Sequence, residues 1–109
     1  MRLALILMIV AMPADAAPTY LECTFPNPET PKINITADEA NSEVGIFVPK
    51  TGFSEKLSAE FTVNQIVFHN KMLSYVLDRT EGSLARTITL INSMDKGACE
   101  VVEPVKRKF

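Results

Sequence analysis

The chain has 109 residues, with 11 Lys and Arg against 13 Asp and Glu, a formal charge of −2, two cysteines and one histidine. That length supports one small core, and that charge excludes a dominant net attraction to nucleic acid or to anionic lipid, because polyanion binders carry a strong basic excess. A lone histidine and two cysteines also leave metal and histidine-based chemistry thinly supplied.

The first segment reads as an export signal. Arg2 is a charged start, Leu3 to Met12 is an unbroken apolar run, and Pro13 with Ala14-Asp15-Ala16 supplies a small-residue cleavage site. A membrane-spanning helix needs about 20 apolar residues, twice what this run offers. An uncleaved anchor and a buried core helix are the alternatives. Cleavage after Ala16 leaves residues 17–109 as one domain with no transmembrane segment, periplasmic or secreted. Cys23 follows the bulky triplet Tyr20-Leu21-Glu22, unlike a lipid-modified cysteine at a cleavage site.

Export sets how the cysteines are read. Two thiols delivered to an oxidising compartment pair, so Cys23 and Cys99 are expected to form a disulfide joining the first and last strand-like segments. Two separate buried thiols are the alternative.

Beyond residue 16, apolar residues recur with period two, the pattern of half-buried strands. Leu21, Cys23 and Phe25 alternate with polar neighbours until Pro26-Asn27-Pro28; Ile33, Ile35 and Ala37 follow, then the turn-like Glu39-Ala40-Asn41-Ser42. Val44 to Val48 reads as a third strand, ended by Pro49-Lys50-Thr51-Gly52. Leu57, Ala59, Phe61 and Val63 alternate cleanly, but Ile66 and Phe68 have the opposite parity. A bulge or sharp bend near Asn64-Gln65 is therefore required.

His69-Asn70-Lys71 makes the next turn, and Leu73, Tyr75 and Leu77 resume the alternation. Asp78 to Gly82 is a compact turn, with Leu84, Arg86, Ile88 and Leu90 beyond it. Asn92 to Gly97 leads into a last strand around Cys99 to Val101, ended by Pro104. A short helix at 37–42 or 54–59 is the alternative for those segments. Seven to eight short strands with tight connections make an all-β antiparallel meander, an up-and-down barrel or curled sandwich closed by the disulfide.

Catalytic constellations are weak. A Ser74, His69, Asp78 triad can be written on paper, yet nothing in the sequence brings the three together, and no cofactor or metal motif is present. Two surface features stand out as candidate partner contacts. The turn carrying Asp78, Arg79 and Glu81 is anchored by flanking apolar residues, and Arg79 offers a planar fork for carboxylate or phosphate. The basic tail at 104–109 carries Lys106, Arg107 and Lys108.

Tyr20-x-x-Cys23, Phe61-x-Val63-x-x-Ile66, Tyr75-x-Leu77-Asp78-Arg79-Thr80-x-Gly82 and Gly97-x-Cys99 together resemble small exported bacterial proteins of uncharacterised function. The chain is also similar to the periplasmic inhibitors of C-type lysozyme, which are signal-bearing, disulfide-tied β-barrels. That resemblance implies a loop entering the lysozyme cleft through Ser-Gly-x-x-Tyr; here the nearest stretch is Thr51-Gly52-Phe53. The expectation is a small exported, non-catalytic binding or interaction protein of the cell envelope, acting on an unknown protein or envelope component. Lysozyme-type inhibition, a structural or assembly role and, last, a small hydrolase are the alternatives.

Overall fold

In the computed structural model, which describes residues 17–103, eight antiparallel strands follow one another around a closed barrel. They are β1 (Thr19–Thr24), β2 (Ile33–Asp38), β3 (Glu43–Val48), β4 (Phe53–Phe61), β5 (Gln65–His69), β6 (Leu73–Asp78), β7 (Ser83–Ile88) and β8 (Ser93–Val102). Each strand pairs with its sequence neighbours, and β1 closes on β8. No helix among the described residues is long and apolar enough to cross a membrane. The expected signal at 1–16 and the basic tail lie outside the described residues.

Alternation does the structural work. Ile33, Ile35 and Ala37 on β2, Val44 and Ile46 on β3, Ile66 and Phe68 on β5, and Tyr75 and Leu77 on β6 all point inward and are buried. An eight-stranded barrel is wide enough inside to be filled by such side chains, and closure leaves no free sheet edge. Cys23 and Cys99 are direct partners across the β1–β8 seam and are disulfide-bonded, as expected. Phe68 and Tyr75 are likewise partners across β5 and β6, with rings stacked 4.8 Å apart.

Two local expectations change, and a third is settled as one of its two alternatives. The parity switch after Val63 is a sharp bend, not a bulge: Thr62 to Asn64 reverse the chain between β4 and β5, and Val63 sits 88% exposed at the tip. The Thr62 backbone N–H donates to the Gln65 carbonyl and closes that turn. Leu90 does not continue β7; the strand stops at Ile88, Thr89 makes a last bond to the Met72 carbonyl, and the chain reverses over 89–92. Finally, β8 begins at Ser93, so the polar run Ser93 to Gly97 is strand, held by pairing with β7. The turn at 39–42 contains one short 3₁₀ turn, Glu39–Asn41, capped by the Asp38 carboxylate.

Candidate functional site

The barrel's two ends are filled differently. Toward one end, inward positions hold Phe25, Phe68, Tyr75, Arg86 and Asp95, which are large or paired. Toward the other, Thr19 and Ala37 are short, and a cavity of about 360 Å3 opens there. Its floor is apolar, made by Leu21, Ala37, Phe61, Ile66 and Leu77, and Asp78, Arg79 and Glu39 stand at its edge. A concave pocket of a few hundred Å3 with an apolar floor and a few convergent polar groups has the form of a ligand site.

Arg79 is the central post of this edge. One guanidinium nitrogen donates to the Thr62 carbonyl at 2.6 Å and another to Glu39 Oε1 at 3.1 Å. Its guanidinium carbon lies 5.9 Å from the centroid of the Phe61 ring. The Arg79 backbone N–H donates to the Asn64 carbonyl, so the β6–β7 turn is docked on the β4–β5 turn twice over. The fork read from sequence as a free recognition group is thus already engaged inside the molecule. It holds three rim segments in fixed relation beside the cavity.

Asp78 and Glu81 share that turn in different ways. The Asp78 carboxylate accepts from the backbone N–H groups of Thr80 and Glu81, the usual use of an aspartate at the first turn position. Gly82, at φ 72°, completes the turn. A Cβ there would lie 2.9 Å from the Cys99 carbonyl oxygen, so glycine is required both by conformation and by the close approach to β8. Asp78 lines the cavity, whereas Glu81 is an exposed turn residue. Of the sequence candidates, then, the structure brings Asp78 and Arg79 together at one opening. Lys106, Arg107 and Lys108 lie outside the described residues.

The paper triad is not assembled. Ser74 and His69 face each other across β5 and β6, but Asp78 is four residues, about 13 Å, further along β6 toward the open end. Its carboxylate is bound to its own turn, and His69 Nδ1 lies 3.4 Å from the Asn70 carbonyl. Thr51-Gly52-Phe53 belongs to the β3–β4 turn at the filled end, with Gly52 at φ 81°.

Sequence reading missed Glu39, Phe61 and Val101 as site residues. The small inward residue Ala37, which lines the cavity, was the available signal for space inside the barrel. Comparison with family models, with curated proteins and with solved structures gives no match for this chain.

Proposed function

We propose that this chain is a small exported, non-catalytic binding protein of the cell envelope whose open barrel end receives the ligand. The observation that carries the reading is the cavity of about 360 Å3, with its apolar floor and its edge of Arg79, Glu39 and Asp78. A ligand matching it has an apolar body that fits between Leu21, Phe61 and Leu77 and a polar end that meets the charged edge. Such a pocket needs little reordering on binding, because Arg79 already locks the rim turns together. Export is supported by Arg2, the apolar run to Met12 and Ala14-Asp15-Ala16, and by a disulfide that suits an oxidising compartment.

Photo-crosslinking in the producing cell tests this. A benzophenone side chain at exposed Thr19, on the opening, should capture a ligand that the same group at Lys56, on the outer wall, does not. Val101→Trp, which fills the opening from an exposed position, should abolish the adduct. Equal capture at both positions, or an adduct that survives Val101→Trp, would remove the opening as the binding site.

A further inference from the structure

The filled end of the barrel carries an anomaly unrelated to the cavity. Turn residues are ordinarily Gly, Pro, Asn, Asp or Ser, yet the β7–β8 turn presents Leu90 at 84% and Ile91 at 66% exposure. The neighbouring β5–β6 turn adds Met72 at 61%, and Met94 at 63% flanks the pair on β8. These turns are tied side by side, since both the backbone N–H and the hydroxyl of Thr89 donate to the Met72 carbonyl. Four large aliphatic side chains therefore stand on one convex tip. Contiguous exposed apolar groups of this kind mark interaction or membrane sites.

Charge is segregated along the barrel in the matching sense. Of the four connections at this end, 49–52, 70–72 and 89–92 hold exposed Lys50 and Lys71 and no acidic residue, and the 25–32 loop holds exposed Glu29 and Lys32, the latter paired with Glu22. Among the other acids toward this end, Asp95 is paired with Arg86 and Glu55 accepts from Asn70. Asp38, Glu39, Asp78 and Glu81 instead collect at the open end. The net charge of −2 rules out attraction of the molecule as a whole to an anionic surface. It leaves room for attraction of one end.

We propose that this tip docks on an anionic lipid bilayer. Leu90, Ile91, Met72 and Met94 enter the headgroup and acyl boundary while Lys50 and Lys71 meet lipid phosphates. Aliphatic insertion combined with nearby basic groups is how proteins lie on membranes without spanning them. Docked this way, the open end faces away from the bilayer.

Vesicle flotation of the secreted full-length product tests the assignment, with about 30 mol% phosphatidylglycerol in phosphatidylcholine against phosphatidylcholine alone. The parent should float with the anionic vesicles and far less with the neutral ones. Leu90→Ser combined with Ile91→Ser should lower the partition coefficient at least tenfold, and Lys50→Glu with Lys71→Glu at least fivefold. All four sites are exposed, so the thermal midpoint, measured alongside, should hold. Arg79→Ala, at the other end, should leave flotation unchanged. Three results would each overturn the proposal: equal flotation with both vesicle types, tip variants that float like the parent, or a parent dimer by light scattering that the tip variants lose.

Discussion

The guanidinium of Arg86 lies 4.4 Å from the centroid of the Phe25 ring, on the inner side of the β1–β8 seam. Asp95, its partner on the adjacent strand, accepts from the same guanidinium at 2.8 Å. The Arg86 side chain is only 19% exposed, so a charge stands at an inward barrel position held by one carboxylate and one aromatic face. A partly desolvated cation over an aromatic ring contributes about 1 to 2 kcal/mol. A double-mutant cycle of Phe25→Leu and Arg86→Met, read by urea unfolding, should show a coupling of about 1 kcal/mol. Zero coupling would mean the stacking is incidental.

Gly97 is what allows that ring to approach β8 closely. A Cβ at this position would come 2.7 Å from the Thr24 carbonyl oxygen and 2.9 Å from the Phe25 ring. Backbone cannot yield here without spoiling the β1–β8 ladder, so Gly97→Ala should cost about 2 kcal/mol or more. Phe25→Ala in the same chain should recover part of that loss, because it removes one of the two clashing groups.

Closure of the barrel at the seam combines backbone pairing with the Cys23–Cys99 bond, which spans 76 positions of sequence. On the chain-entropy model a loop of that size contributes about 4 kcal/mol, acting mostly on the unfolded chain. Cys23→Ser with Cys99→Ser should therefore lower the unfolding free energy by about 2 to 5 kcal/mol. Hydrogen exchange of β1 and β8 amides should accelerate more than that of β5 and β6, since the seam loses its clamp and the far wall does not. Uniform acceleration would show that the bond acts only globally.

The barrel was legible wherever one residue's fate depends on its immediate neighbours. Ile33, Ile35 and Ala37 alternate and are buried in alternation, and two cysteines allow only one pairing. Parity cannot distinguish a bulge from a chain reversal, because both flip the inward set; that is why the bend after Val63 was located without its form. Leu90 has the parity of β7 but no partner on β6 or β8, because the chain reverses over 89–92. Ser93 to Gly97 reads as a turn by composition and is strand because β7 is there to pair with it. At the site, Asp78 and Arg79 were found through their turn. Glu39 was hidden, since its contact with Arg79 joins positions 40 residues apart.

Tyr75 supplies a pH test. Burial pushes its phenol above the ordinary value of 10.0, opposed by nearby Arg86 and reinforced by Glu55. Raised folded-state affinity for the proton means the unfolded chain ionises first. Stability is therefore intact below about pH 10 and falls as pH rises from that value to the higher folded one. Tyr75→Phe should flatten this alkaline loss, with the unfolding free energy compared at pH 9 and at higher pH. If parent and variant decline in parallel, Tyr75 is not the group responsible.

Arg79 gives the last expectation, about how the opening is held. Its side chain is 33% exposed and its Glu39 partner 60%, so the ion pair by itself contributes little, within the 0 to about 1 kcal/mol of exposed pairs. The bond to the Thr62 carbonyl matters more for geometry, because it fixes the β6–β7 turn against the β4–β5 turn. Arg79→Ala should lower global stability by only about 1 kcal/mol. Exchange of the amides at positions 62 and 79, which close on Gln65 and Asn64, should nonetheless rise about tenfold through local opening. Glu39→Gln should reproduce little of this, since the Thr62 bond survives it. Arg79→Lys should recover less than half, because one ammonium on a flexible stem cannot serve a carbonyl and a carboxylate in two directions as the planar fork does. Full recovery by lysine would show that charge alone, and not the fork, holds the rim.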